Sequence, residues 1–473
     1  MLTIPVVGVL ELSSKYRYGL TSRGAPLYLF RPYDESLPEF VVGSSERDTS
    51  VNRIAIVDIP VGSAAAAPVT HATRFTEAKP RGNLIRLIGP VGDYDAEFKG
   101  LLEHYCPAKQ HRDVPISSPD TYHDAVRICL DAASGWTTFH IDPAGCLDID
   151  DAMAYNPETQ EWAITIADAA AAVPAGSLVD EAAAAIGSTF YDLAGHAERP
   201  MLPRAVSEES ASLRPGVPRR GVSLLTGPDG QHRWALSWIT VTHSFTYENF
   251  TGSEVARDLG LAAVEPHQWI ADQMIRYNAT AAARLKEAAA GLLRTQAPAD
   301  ASAAANWDAI DPALVRLAHE AARYEPAAGE GEGADQGHAG LGLTAYTHAS
   351  SPLRRYADLV NQRVLKALIQ GEPPLIESLA SVATALTERQ RMNRRWTRDI
   401  TFLEYVTPGK VHTIDVIWVD QERVWVPTWQ RLLRVRHDGT LPPGTRDRIN
   451  IFCDPTQRNW KRRVMTAPMD NNN

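Results

Sequence analysis

The sequence predicts a multidomain α+β protein, with a small β-barrel at each end and a mixed helix–strand unit between them. Three observations lead there. The chain has 473 residues, more than one core ordinarily organises at roughly 100–200 residues per domain. Both ends carry short β-rich runs, whereas the middle alternates strand-like runs with long helical spacings. Hydrophobic residues make up 44% and charged residues 22%, which allows a sizeable core and excludes a wholly disordered chain or a fibre.

In residues 1–112 the runs VVGVLEL, PLYLF, EFVVG, NRIAIVDI and NLIRLIG are separated by Gly, Pro, Asp and Ser. Strands this short suit a closed barrel, because closure removes exposed edges. An OB-type barrel fits the pattern; an SH3-like barrel or a plain α+β unit remains open. DAEFKGLLEHY then switches to helical spacing. The start lacks a basic leader and reads as a first strand instead of a signal peptide. No run of about twenty apolar residues marks a membrane span. Cys106, Cys129, Cys146 and Cys453 form no CxxC pair and read as free thiols. A soluble intracellular protein, cytoplasmic before nuclear or organellar, is the expectation.

Residues 113–405 form the expected central unit. TTFHIDP and EWAITIADA read as strands flanking an acidic loop, and VDEAAAAIGSTFYDLA as an alanine-rich helix. Further helical tracts span about 266–293 and 351–370. Between them APADASAAANWDA and EPAAGEGEGADQGHAG read as loops or loosely packed inserts, the first with some helical propensity. The whole chain sums to −10, which excludes a uniformly basic nucleic-acid coat. The last 85 residues, from Arg389, nevertheless hold 16 Lys/Arg against 9 Asp/Glu. A basic helix, TERQRMNRRWTRDITFLEY, leads there into strand-like runs of a second small barrel, 406–473. Basic residues interleaved with Trp418, Trp425 and Trp429 suit a polyanion with bases to stack, the plainer reading being an ordinary basic β domain.

HIDPAGCLDIDDAM is the sharpest local feature, placing Asp142, Asp148, Asp150 and Asp151 within ten residues around a Pro–Gly turn. Like charges so close repel, and burial makes each costlier. A hard divalent cation removes both objections and accepts oxygen ligands. The calcium-loop spacing D-x-[DN]-x-[DN]-G-x₅-E is absent. An exposed acidic turn, or carboxylates gathered at a helix N-terminus, remain as alternatives.

In AYTHASSPLRRYADLVNQR, Ser350 or Ser351 can cap a helix begun by Pro352. That helix would hold Arg354 and Arg355 in its first turn, where the dipole disfavours cations. Asp358 offsets either arginine at helical spacing, and an external anion would complete the balance. The alternative is a local Arg–Asp lattice on a solvent face. Clustered carboxylates holding a metal beside an arginine are the parts that phosphodiester hydrolysis needs. The sequence has no GxxxxGK[ST], no GxGxxG beside a strand and no HExxH.

These segments resemble the ribonuclease II/R (RNB) family, and most closely its eukaryotic exosome exoribonuclease branch, in a shortened form. The resemblance rests on IDPAGCLDIDDA, TIADAAAAVPAGSLVDEAA, PMLP, FTYENF and YTHASSPLRRYADLVNQR in that order. GVLELSSKYRYG, LYLFRPYDESLP and RLIGPVGDYDAE resemble a cold-shock (OB-type) barrel, and ALTERQRMNRRWTRD the family's last helix before its terminal RNA-binding barrel. The resemblance implies a central RNB catalytic domain flanked by OB-type barrels. It also implies a magnesium-dependent 3′→5′ exoribonuclease that hydrolyses single-stranded RNA to nucleoside 5′-monophosphates. By motif, Asp142, Asp148, Asp150 and Asp151 would hold two magnesium ions, with manganese as a substitute. Asp150 matches the carboxylate whose loss abolishes cleavage and spares RNA binding. Arg354 would stabilise the scissile phosphate. Tyr191 would pack against the terminal nucleotide, Tyr247 would line the RNA path, and Asp272 stands where the family has a glutamate in E-x-M-x-x-x-N. Single-stranded RNA and partners in an RNA-processing complex, with no membrane, complete the expectation.

The sequence departs from the family at Thr165 and Gln296, both histidine places, and at Ile186, an arginine place. The run from 251 to 340 is short, which implies a shallower RNA channel. A catalytically weak or inactive RNA-binding scaffold is the rival reading.

Overall fold

The five apolar runs of the N-terminal segment become five strands: β1 (Thr3–Leu10), β2 (Leu27–Pro32), β3 (Phe40–Gly43), β4 (Arg53–Pro60) and β5 (Arg81–Pro90). They close in the order β1-β2-β3-β5-β4, with β4 pairing back onto β1 along eight residue pairs. Only the β3–β5 pair is parallel. Alternation along the strands fills the inside with Val6, Leu10, Tyr28, Phe30, Phe40, Val42 and Val57, as the period-two rule requires. This is the OB-type barrel of the sequence reading.

The computed structural model describes residues 3–61, 79–108, 126–328, 336–374, 378–406, 410–435, 441–454 and 464–468. The expected boundary at 112–113 and part of EPAAGEGEGADQGHAG (329–335) lie outside the described residues.

Helix α1 (Tyr94–Tyr105) is started by Asp93, whose side chain accepts from Ala96 N. Its apolar face joins the barrel to the rest of the molecule. Phe98 meets Trp396 edge-on with 4.9 Å between ring centroids, and the Tyr105 hydroxyl donates to the buried Asp399 carboxylate.

The central sheet contains β6 (Ile128–Leu130), β7 (Thr137–Asp142), β8 (Asp151–Asn156) and β9 (Glu161–Ala167). The sequence reading placed EWAITIADA directly after the acidic loop. Instead β8 intervenes, begun by Asp151 itself and paired to both β7 and β9. After β9 come the one-turn helix α2 (Ala169–Ala172) and α3 (Leu178–Ile186). The expected helix over VDEAAAAIGSTFYDLA stops at Gly187, which has φ 81°. A Cβ there would lie 2.6 Å from Cβ of Arg389, so the turn requires glycine. The rest of that segment forms β10 (Phe190–Tyr191), paired with β11 (Ala197–Arg199).

β12 (Pro218–Thr226), β13 (His232–Thr240) and β14 (His243–Thr246) complete a seven-stranded sheet ordered β14-β7-β8-β9-β12-β13-β6. Beyond α4 (Glu254–Asp258), α5 (Pro266–Glu287) follows the predicted tract but yields at its end to β15 (Leu292–Thr295). Part of the alanine-rich insert read as loop is α6 (Ala301–Asp308), with no buried residue. β16 (Arg323–Pro326) pairs with β15. α5 and α7 (Tyr356–Gln370) share an apolar cluster with Phe139, Met153 and Ile166 of the sheet.

The basic helix is α8 (Leu379–Leu403). Five strands follow: β17 (Val411–Trp418), β18 (Arg423–Val426), β19 (Arg431–Arg434), β20 (Arg446–Cys453) and β21 (Val464–Pro468). Their sheet, ordered β19-β18-β17-β20-β21, curls until the Thr466 hydroxyl donates to the Arg434 carbonyl at 3.4 Å across its two edges. Trp418, Trp425 and Trp429 are 0%, 3% and 5% exposed. They form core, and the expected stacking surface on them is corrected: these indoles are taken up by the apolar interior of a small unit. Leu101, Trp396, Ile414 and Leu353 share one apolar cluster, so barrel, centre and C-terminal sheet pack on common ground. No helix among the described residues is long and apolar enough to cross a membrane.

Candidate active site

The acidic loop is the connection between β7 and β8. Asp142 ends β7, Asp148 and Asp150 lie in the loop, and Asp151 opens β8. Ser212 holds the loop in place: its hydroxyl accepts from Ile149 N at 3.0 Å and donates to Leu147 O at 2.7 Å. Ala167 N donates to Asp150 O at 2.8 Å, tying the loop's end to β9.

Three of the four carboxylates have a protein partner. Asp150, 4% exposed, accepts from Leu353 N at 2.9 Å and from Arg354 Nε at 3.0 Å. Asp148 accepts from the Tyr191 hydroxyl at 2.6 Å. Asp142 lies 2.8 Å from His140 Nδ1. The thiol of Cys146 reaches Asp148 at 3.6 Å. Burial, with Asp142 and Asp150 beside it, pushes Asp151 well above the usual carboxylate range.

The Ser-Pro-Leu-Arg-Arg segment reaches this loop differently from the sequence reading. Helix α7 starts only at Tyr356, with Arg355 at its N-cap. Ser350 and Ser351 are therefore not caps, and Arg354 precedes the helix. The reason is tertiary: Asp358 Oδ1 accepts from Ser351 N at 2.8 Å and from Arg355 at 2.7 Å, while residues 187–189 line up with 354–356. Thr189 N donates to Arg354 O and Tyr356 N to Gly187 O, both at 2.9 Å. That alignment sets Tyr191 beside Arg354, whose side chain is 44% exposed. Of the two arginines, Arg355 is the partner of Asp358.

Tyr247 stacks on His267, with ring centroids 3.7 Å apart and planes 13° apart. Burial, with Asp142 and Asp151 nearby, pushes its hydroxyl up to about 12, so Tyr247 lies beside the acidic loop. Asp272 is not brought there: it is exposed on α5, accepts from Gln268 Nε2, and has no described contact with the acidic loop. A solvent-facing position nearly two turns into α5 is the physical reason. The α5 residue that serves the site is Asn278. It accepts from Ala349 N at 2.9 Å and donates to Ser350 Oγ at 3.1 Å, anchoring the loop ahead of Arg354. Its register with the E-x-M-x-x-x-N pattern was the available signal; nothing in the sequence marks Ser212 or His140.

Four carboxylates face one guanidinium and one imidazole in this corner. By charge and oxygen chemistry the set fits a hard divalent cation. As the side chains stand, no group of three or more His, Cys, Asp or Glu among the described residues is gathered to hold a metal ion. Burial pushes the Asp150 carboxyl up to about 7, with Arg354 and Leu353 N opposing. In the unfolded chain it would titrate near ~3.9. Between those values the folded state keeps a proton that the unfolded state releases. The site's contribution is complete below the lower value and lost as pH rises through the upper one. The melting temperature of metal-free protein is therefore expected to fall between about pH 4 and about pH 7. Calorimetry in EDTA checks this, and a flat or rising profile would contradict it.

The family model described as "RNB domain" matches residues 132–253 and 300–371. Those two stretches of the chain are similar to the RNB domain. The matched stretches contain the four aspartates, Tyr191, Tyr247 and Arg354 and leave out Asp272. Exoribonuclease 2 of Serratia proteamaculans is 48% identical over 63 residues, 13% of this chain and 10% of that protein. The match thus spans about a tenth of the curated relative's length. Among solved structures, Mycoplasma genitalium RNase R in its apo form superposes with TM-score 0.72 at 15% identity, covering 98% of this chain and 90% of that one. Its complex with ribose-methylated single-stranded RNA gives 0.71 at 14%, with the same coverage. Yeast Ssd1, described as a pseudonuclease, gives 0.69 at 18%, covering 96% and 67%. The RNB fold with an OB-type barrel on either side of the centre is therefore the architecture of this chain.

Proposed function

We propose that this RNB protein is a 3′→5′ exoribonuclease that hydrolyses single-stranded RNA to nucleoside 5′-monophosphates. The carrying observation is the Asp150–Arg354 pair, a carboxylate and a guanidinium 3.0 Å apart at the mouth of the acidic loop, with Tyr191 alongside. Similarity to an exoribonuclease and to an RNase R seen with RNA supports the reading. So does a charge balance that a divalent cation would complete.

Magnesium would be held by Asp142, Asp148, Asp150 and Asp151, and when bound would neutralise the phosphate and lower the pKa of the attacking water. The chain's own residues do the rest. Arg354 offers its exposed guanidinium edge to the phosphoryl oxygens, where planar paired donors fit best. Tyr191, its hydroxyl tethered to Asp148, gives the terminal base a ring to stack on, worth ~1–3 kcal/mol. Water adds to phosphorus, the P–O3′ bond breaks, and the shortened chain leaves with a 3′-hydroxyl. The division into 1–112, 113–405 and 406–473 belongs to the same proposal, as do partners in an RNA-processing complex.

RNA labelled at its 3′ nucleotide, incubated with magnesium, is expected to release labelled 5′-monophosphate from the first turnover, and EDTA to stop it. Release of internal fragments, or none at all, would refute the activity. A second reading, an RNA-binding protein without turnover, is favoured by the Ssd1 likeness together with carboxylates that do not gather on one point. Tight RNA binding with no monophosphate in that assay would select it.

A further inference from the structure

The cationic side of the site is larger than one phosphate requires. Beside Arg354 lies a cavity of about 190 Å³ lined by Tyr191, Tyr324, Arg354, Arg355, Asn393 and Arg394, and by no acidic side chain among the described residues. Arg354 is paired with Asp150 and Arg355 with Asp358, whereas Arg394 has no hydrogen bond or ion pair among the described residues.

Tyr324 carries a further cation against its ring. The Arg294 guanidinium sits 4.7 Å from the ring centroid; the residue is 1% exposed and both terminal nitrogens are buried without a hydrogen-bond partner. Burial brings it down to about 10, with repulsion from Arg394 and Arg355 adding to the effect. His348 is held well below its ordinary value by burial and by Arg355, Arg294 and Arg354. Fixed like charges with so little counter-charge create a potential that attracts an anion.

The cavity shares Gln390, Asn393 and Arg394 with a groove of about 980 Å³ along α8. Arg391, Arg394, Arg395 and Arg398 all line that groove. They stand at i, i+3, i+4 and i+7, a single stripe of the helix. Glu388 is the one acidic residue among the described lining. The cavity is smaller than the ~300–1,000 Å³ of small-molecule pockets, which suits a phosphate group better than a whole nucleotide. The groove is long enough for a chain.

We infer that cavity and groove form one track for the backbone of a single-stranded polynucleotide. Arg355 and Arg394 take the phosphate next to the one at Arg354, and Arg391, Arg395 and Arg398 take phosphates further along. The inference rests on the RNA reading above and adds the residues that guide the strand.

The test is fluorescence anisotropy of the full chain with a 5′-labelled oligoadenylate in EDTA, which needs no turnover, over a range of salt. Each phosphate contact contributes about −0.7 to the slope of log affinity against log salt for a single strand. R394Q is expected to reduce that slope by ~0.7 and R391Q/R395Q/R398Q by ~2, while R394K keeps it. R233Q, at an exposed arginine of β13 paired with Glu161, should leave it unchanged. Slopes unaltered in both track variants, with wild-type protein binding RNA, would overturn the track and leave the nuclease reading standing. A wild-type chain that binds no RNA would overturn both. Adenosine 5′-monophosphate displacing the strand from wild type but not from R394Q would assign the cavity to a free nucleotide and overturn the chain assignment.

Discussion

Replacing Asp150 by asparagine is expected to cut monophosphate release by ~10²–10³-fold or more, the scale seen when one electrostatic stabiliser of a transition state is removed. RNA affinity should stay within a few-fold of wild type. The contrast follows from what the two oxygens of Asp150 do. One accepts from Leu353 N and the other from Arg354 Nε. Asparagine has nearly the same shape and can keep the Leu353 bond, so the loop should stay in place. Its amide group would then face the guanidinium, donor against donor, and a negative charge that a cation would use is gone. Single-turnover kinetics in magnesium and anisotropy in EDTA separate the two effects. D150N turning over RNA at the wild-type rate would remove Asp150 from the chemistry.

Arg354 is expected to show the second-largest effect, and to distinguish shape from charge. Arg354→Ala should lower kcat by ~10²–10³-fold, and it also strands the buried Asp150 carboxylate with Leu353 N alone. Breaking a fully buried pair costs ~3–5 kcal/mol. Arg354 is 44% exposed, so the expected loss of stability is smaller and solvent takes up part of it. Arg354→Lys keeps the positive charge but not the planar fork. It should therefore fold as well as wild type yet still lose an order of magnitude or more in kcat. A lysine variant with full activity would show that charge alone is required, and that the guanidinium clamps nothing.

The barrel was legible because its strands are short, apolar and separated by turn residues; each of the five runs became a strand. The helical period was as clear in α1, α5 and α8. The α7 start was misread because a serine followed by proline is a real N-terminal signal, outweighed here by Asp358 taking the Ser351 N–H. Strand β8 was hidden because its first residue is an aspartate that reads as part of the loop. The C-terminal tryptophans misled for a different reason. An indole beside arginine in sequence looks like a stacking platform, but whether it faces solvent depends on how the sheet curls.

The carboxylate cluster and the arginine pair were determined by the sequence itself, since residue type and close spacing are local properties of the chain. Only the tertiary structure decided that Arg354 meets Asp150, that Arg355 meets Asp358, and that the Tyr191 hydroxyl is tied to Asp148. Two of those contacts join residues 204 and 43 positions apart. No periodicity encodes such separations; they arise when the 187–189 and 354–356 segments are drawn together over one apolar core.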